Sequence, residues 1–219
     1  MSAANDSAAK DNLPSKPLSL LGTAHGRFVH GRRTRQLAEH FARLIPAGHR
    51  VLDVGCGDGE IDHLIMELRP NVQIQGVEVA PRSASSISVS AFDGQNLPFG
   101  DDSFDCVMFC DVLHHTHSVS ALLREAARVA RHYVLIKDHF LQGAFAGATL
   151  RFMDYVGNAP HGVALPYHYL TPDQWNTEWQ AAQLTTQSIT RDLKLYPWWG
   201  NWLFGRGLHF VALLKVSDV

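Results

Sequence analysis

Little in this chain is suited to cross-linking, to a strong field or to crossing a membrane. It has three cysteines in 219 residues, Cys56, Cys106 and Cys110, and all three sit in or beside apolar runs. So few thiols, odd in number, exclude a disulfide framework and point to a reduced, cytoplasmic setting. Charged residues make up only 18%, 19 basic against 21 acidic, for a formal net charge of -2. A chain without a basic excess has no bulk field for a nucleic-acid backbone. Long apolar runs are also missing. The most apolar stretch, 193–216, is broken by Pro197, Asn201, Arg206 and three glycines, so it reads as two strands joined by an aromatic loop. Residues 1–20 are small and polar with two prolines and lack the apolar centre of a leader, so a flexible tail is expected. No internal repeat is visible. Histidine, by contrast, is abundant at 13 residues, and its titration near neutrality makes its clustering worth following.

The remaining chain alternates strand and helix signals. Leu37, Ala38, Phe41 and Leu44 have helical spacing, closed by Pro46 and Gly48. A buried strand follows at 51–54, a helix at 61–68 and a strand at 72–79. The run 104–110 is almost continuously apolar, as in a strand covered on both faces. A helix at 119–129 and a strand at 133–136 come next. Thr171-Pro172-Asp173 starts a helix that carries Trp175 and Trp179. The final strands, near 186–195 and 207–216, are close enough in sequence to be antiparallel. The alternation predicts a parallel sheet with right-handed crossovers.

The first strand ends in Asp53-Val54-Gly55-Cys56-Gly57-Asp58-Gly59. Glycines there permit a sharp turn and close approach of a ligand, and the next helix presents free N–H groups. Glu78 ends the second strand, where an acid accepts ribose hydroxyls. The unit predicts a nucleoside-bearing cofactor. Carboxylates at 53 and 58 would repel a pyrophosphate, which argues against a dinucleotide dehydrogenase, and they suit a cofactor with a cationic amino-acid end.

These residues resemble the class I S-adenosylmethionine-dependent methyltransferases, whose first motif is similar to VLDVGCGDGE at 51–60. Ala91-Phe92-Asp93-Gly94 with Leu97-Pro98-Phe99, the run from Asp102 through Cys110-Asp111-Val112-Leu113-His114-His115, and Arg124 to Val129 extend the resemblance. It covers about 32–139 and the last two strands. It implies an α/β fold: a Rossmann-like, mostly parallel seven-stranded sheet with helices on both faces and an antiparallel last strand. It further implies one methyltransferase domain at 21–219, with a substrate-cap insertion at about 140–170. By the same resemblance Gly55, Cys56 and Gly57 pass under the methionine part of S-adenosylmethionine and Asp53 receives its ammonium. Glu78 takes the ribose hydroxyls and Asp93 the adenine amino group, with Val79, Gly94 and Cys110 completing the set. Asp93 has a second reading, as a turn carboxylate capping Gln95. One departure stands out. Too few residues lie between Glu78 and Phe92 for a helix and a strand, so 80–86 is expected to be a loop that leaves one sheet face thin and open to a partner or second subunit.

On the acceptor side, His114 and His115 leave the fourth strand and His139 leaves the fifth, at the sheet edge where ligands bind. They are the candidates for a general base, His139 foremost, with packing as the competing role for His115. Asp138, Asp154, Asn158, His161 and His168 are candidates for holding a polar acceptor. A metal on Asp111, His115, His117 and His139 is weighed against the divergent directions of neighbouring strand-end side chains, and none is expected. Methyl transfer to a small-molecule acceptor, in particular a hydroxyl, is the leading function. No Asn-Pro-Pro-Tyr-like segment follows the fourth strand, which speaks against amino-base or amide N-methylation of that type. A non-catalytic S-adenosylmethionine-binding regulator or scaffold is the alternative. The aromatic segment 196–204 has three open roles: packing under the insertion, homodimerisation, or contact with membrane or lipid. Monomer and homodimer both remain open.

Overall fold

Seven strands form one sheet in the order β3-β2-β1-β4-β5-β7-β6. In this computed structural model the backbone is described at 18–158 and 167–217, and side chains at 31–156 and 167–217. In chain order the elements are α1 (Leu18–Leu44), β1 (Arg50–Val54), α2 (Glu60–Leu68), β2 (Gln73–Glu78), β3 (Val89–Ala91) and β4 (Phe104–Cys110). They continue with α3 (Val119–Val129), β5 (Ala130–His139), α4 (Ala146–Asn158), α5 (Pro172–Ala181), β6 (Leu184–Thr190) and β7 (His209–Val216). β1 to β5 pair in parallel, and β7 runs antiparallel to both β5 and β6. The expected fold class is therefore the observed one.

The two faces of β4 show why its sequence is continuously apolar. Val107 and Phe109 pack with Leu122, Leu123 and Ala126 of α3 and Trp175 and Trp179 of α5. Cys106 and Met108 face Leu37, Phe41 and Ile65 of α1 and α2. Period-two alternation is present, but both halves are buried. Strand order reverses between β1 and β4, which opens a crevice at their C-terminal ends.

β4 and α3 coincide with the spans expected from sequence. α1 begins at Leu18, well before Leu37 where the helical spacing is read, and takes in the last three residues of the 1–20 segment expected to be a flexible tail; 1–17 lie outside the described residues. β5 extends to His139, because Lys137, Asp138 and His139 are buried polar residues that continue the pairing with β7. β6 stops at Thr190 rather than 195. Residues 80–86 contain no helix, as expected. The loop is tied to the glycine turn: Ser86 N–H donates to Asp58 O at 2.8 Å, and Arg82 pairs with the Asp58 carboxylate at 2.9 Å. The bland sequence reading of the insertion is a helix with Leu150, Met153 and Tyr155 near its buried side, and α4 corrects it: Leu150 and Asp154 face inward, but Tyr155 is 62% exposed. One residue along a helix turns a side chain by about 100°, which carries Tyr155 off the buried stripe.

α5 opens with a reciprocal cap. Thr171 Oγ1 accepts from Gln174 N–H at 3.3 Å, and Gln174 Oε1 accepts from Thr171 N–H at 2.8 Å. Thr171→Ala should cost about 0.5–2 kcal/mol in thermal unfolding while leaving cofactor affinity unchanged.

Candidate functional site

The crevice has two ends. At the cofactor end Gly55 takes φ +76 and Gly59 φ +72, a region costly for side-chain-bearing residues. Space excludes a side chain as well: a Cβ at Gly55 would lie 2.6 Å from Val112 Cγ2, and one at Gly59 2.6 Å from Ile87 Cγ1. The glycine turn is thus packed directly against the turn that leaves β4. Glu78 accepts from Gly57 N–H at 3.0 Å and from Val79 N–H at 2.8 Å, so its carboxylate is fixed at the mouth of the turn. Val79 is 59% exposed and stands beside Gly94, where a Cβ would be 3.3 Å from Val79 Cγ2. Asp93 accepts from Gln95 N–H, Asn96 N–H and Asn96 Nδ2 at 2.6–2.8 Å, bonds from Asn96 and Gln95 that lower its pKa. The turn-capping reading of Asp93 is therefore realised. Cys56 packs on Gly76, where a Cβ would be 2.3 Å from Sγ, and burial raises the thiol pKa of both Cys56 and Cys110. Neither cysteine is placed as a nucleophile.

Beneath the turn lies a pair of acids that sequence reading only half found. Asp53 on β1 and Asp62 in the first turn of α2 are both buried, and their carboxyls face each other. Among the described residues no donor reaches Asp53 Oδ1 or either oxygen of Asp62. Burial raises the pKa of both; the Asp62 carboxyl adds to the rise at Asp53, whereas the contact with Asp53 opposes it at Asp62. Asp62 gave no signal because it lies beside the apolar stripe of Ile61, Leu64, Ile65 and Leu68.

At the acceptor end, buried and half-buried polar groups from six segments meet. Asp111 adopts φ +59 and binds the Arg33 guanidinium of α1 and the fully buried Lys137 ammonium of β5. Burial opposes its charge, but Lys137 and Arg33 hold its pKa well below the usual carboxylate range. Lys137 Nζ also donates to His209 Nδ1 at 3.3 Å, and burial and this cation keep His209 neutral.

Next to this hub His114 is clamped between two acids. Its Nδ1 lies 2.7 Å from Asp138 Oδ1 and its Nε2 3.4 Å from Asp154 Oδ2. Burial disfavours the imidazolium, yet the Asp138 charge, its hydrogen bond to Nδ1 and the nearby Asp154 carboxylate raise its pKa to about 10. Tyr169 O–H donates to Asp154. His139 N–H donates to Asp138 at 2.8 Å, its ring lies between Asp138 and Asp111, and Trp175 Nε1 donates to its carbonyl at 2.9 Å. It is 5% exposed, and burial and Lys137 lower its pKa. His115 differs. It is half-buried, its ring centroid lies 4.0 Å from that of His114 with the planes tilted by 44°, and its buried Nδ1 has no hydrogen-bond partner among the described residues. Burial and the adjacent His114 charge lower its pKa.

Of the remaining candidates, His168 is anchored outside this cluster, Nδ1 to Thr116 O at 3.0 Å. The side chain of Asn158 and all of His161 lie outside the described residues, and His117 is exposed away from the cluster. Asp111, His114, Asp138 and His139, and again His114, His115 and Asp154, are close enough to share a metal ion. The first set already neutralises Lys137 and Arg33, and in both sets a cation must compete with the His114 proton. Arg33, Lys137, His209 and Tyr169 escaped sequence reading because their partners come from distant segments.

Residues 27–189 match the family of the methyltransferase domain, which is most of the chain. This chain belongs to that methyltransferase family. Among its relatives is a 27-O-demethylrifamycin SV methyltransferase of Amycolatopsis mediterranei, 31% identical over 113 residues, covering 45% of this chain and 41% of the relative. A ubiquinone biosynthesis O-methyltransferase of Xanthomonas axonopodis pv. citri is 27% identical over 130 residues, covering 54% and 49%. The chain thus spans less than half the length of these curated relatives. Among solved structures, a methyltransferase in complex with the Haloferax volcanii Trm112 methyltransferase activator shares the fold. It has a TM-score of 0.66 at 14% identity, over 90% of this chain and 97% of the other. Methyltransferase family and fold imply S-adenosylmethionine as the cofactor. The methyltransferase crevice fits it: the donor-poor Asp53–Asp62 pair suits an ammonium, the side-chain-free turn admits a close ligand, and Glu78 retains lone pairs for a diol.

Proposed function

We propose that this protein transfers a methyl group to a hydroxyl of a small-molecule acceptor, with His115 as the general base. The observation that carries this reading is the His115 ring, its Nδ1 without a hydrogen-bond partner among the described residues, packed against the clamped His114 ring on the same turn whose Val112 packs against Gly55. S-Adenosylmethionine, held by the glycine turn, Glu78 and the Asp53–Asp62 pair, would supply an activated methyl group, and the His115 imidazole would accept the proton that the acceptor hydroxyl gives up. His114, Asp138 and Asp154 act as positioning residues. Their contacts fix the His115 platform, and burial with the His114 charge lowers the His115 pKa, which favours the ring form able to accept a proton. His139, foremost from sequence, is less suited, because a carboxylate flanks each of its ring nitrogens. Asp93 supports the adenine end through its turn, and Glu78 is the ribose acceptor.

The reading is tested with isotope-labelled S-adenosylmethionine and matched hydroxyl, amine and thiol acceptors. Transfer to hydroxyls is expected, and transfer confined to amines would overturn the assignment. Glu78→Ala should weaken S-adenosylhomocysteine binding by about 2–3 kcal/mol in isothermal titration, through loss of a charged acceptor. Unchanged affinity in a folded variant would remove Glu78 from the site.

A further inference from the structure

α4 has two unlike faces. Inward, Ala146, Leu150 and Asp154 lie at i, i+4 and i+8, and Asp154 helps to clamp His114. Outward, Phe152, Tyr155 and Val156 are 57–62% exposed, and Phe145 just before the helix is 81% exposed. Beside this face, the chain between β6 and β7 forms a helical turn (Trp198–Gly200) that runs into a π turn (Asn201–Gly205). Trp198 is 85% and Trp202 75% exposed, with Leu203 beside them. The packing role weighed for this segment therefore does not hold for these two tryptophans. The two elements meet: Phe152 and Phe204 stack at 6.4 Å, and Arg206 donates to Thr149 Oγ1 at 2.7 Å. Between them runs an open groove of about 680 Å³ lined by Phe152, Trp202, Leu203, Phe204 and Arg206.

We propose that this face, the outer side of α4 with the 198–205 turns, seats the protein on an anionic lipid bilayer. Charge and shape select that occupant. The exposed charges on these two elements and their immediate flanks, Arg151 and Arg206, are both positive, and the one acid, Asp154, is turned inward. Tryptophans projecting beside arginines match the boundary between acyl chains and anionic headgroups. An apolar groove with a guanidinium at its rim takes a chain that ends in a negatively charged head. Exposed apolar area of this extent marks an interaction site rather than ordinary surface. The inference deepens the acceptor reading, since a seated enzyme with its site behind α4 would draw a lipid-soluble hydroxyl compound. Its test reads binding alone, so either reading can fail without the other.

The full chain is mixed with vesicles of phosphatidylcholine alone, or of phosphatidylcholine with phosphatidylglycerol, and sedimented. Binding to the anionic vesicles that weakens with salt is expected. Vesicles with brominated acyl chains should quench tryptophan emission, and since Trp175 and Trp179 are buried, that quenching reports the exposed turn. Trp198→Ser/Trp202→Ser should weaken vesicle binding roughly tenfold and keep S-adenosylhomocysteine affinity. Should that variant fail to fold, quenching of the wild type decides. The proposal is overturned by absence of vesicle binding, by binding without quenching, or by a folded variant that binds as before. It is equally overturned if light scattering finds a dimer that the variant converts to monomer, which would make a second copy the occupant.

Discussion

Asp111→Asn is expected to lower the free energy of unfolding by about 3–5 kcal/mol. The carboxylate is shared by Arg33 and by Lys137, which is fully buried, and removing it leaves two cations facing each other without an anion. Backbone strain does not confound the substitution, because asparagine tolerates the left-handed φ of this position at least as well as aspartate. The pH dependence carries a definite sign. The folded-state pKa of Asp111 is depressed, so its stabilisation is fully present above the unfolded value of about 3.9 and is lost as pH falls through the folded value. Urea unfolding should show the loss for the variant at neutral pH and a narrowing gap between variant and wild type only in strong acid. A variant within 1 kcal/mol of wild type, itself an ordinary surface-mutation effect, would mean that the hub is solvated.

His115→Ala is expected to reduce turnover by about 10²–10⁴-fold, with S-adenosylhomocysteine affinity retained. His139→Ala should instead show its effect in stability, since it removes a ring wedged between Asp111 and Asp138. The pH profile separates base from scaffold. Burial and the His114 charge lower the pKa of His115, so the rate should hold through neutrality and fall only on the acid side of the ordinary histidine value. His114 has the opposite sign. Its folded pKa is raised to about 10, so the stability it lends is complete below about 6.5 and is lost as pH rises through the folded value of about 10. Asp138→Asn should bring this alkaline transition down and shift the His114 ring resonances with it. If His139→Ala abolishes turnover in a fold of normal stability while His115→Ala does not, the base is His139.

The parallel core was legible because its signals are local. The β4 run and the α3 stripe each declare themselves within a dozen residues, and the shortage of residues after Glu78 predicted the 80–86 loop without any tertiary knowledge. The histidines were legible as a cluster, since strand ends of a parallel sheet share an edge. Their separate roles were not. Which imidazole carries charge depends on Asp154 from α4 and Asp138 from β5, and whether His139 is accessible depends on Trp175 of α5. Periodicity carries no such information. Asp62 was hidden for a related reason: in a short helix, one carboxyl beside the apolar stripe reads as solvated until β1 is known to cover it.

Because burial raises the pKa of both Asp53 and Asp62, the pair is expected to hold a proton near neutral pH. An arriving ammonium favours the doubly ionised pair, so cofactor capture should discharge the retained proton into the medium. Calorimetric heats should then vary with the ionisation enthalpy of the buffer, and apparent affinity should strengthen as pH rises through the range in which the pair titrates. Asp62→Asn should flatten both dependences. Occupancy of the enzyme by its methyl donor would in that case track the acidity of its surroundings as well as the donor's concentration.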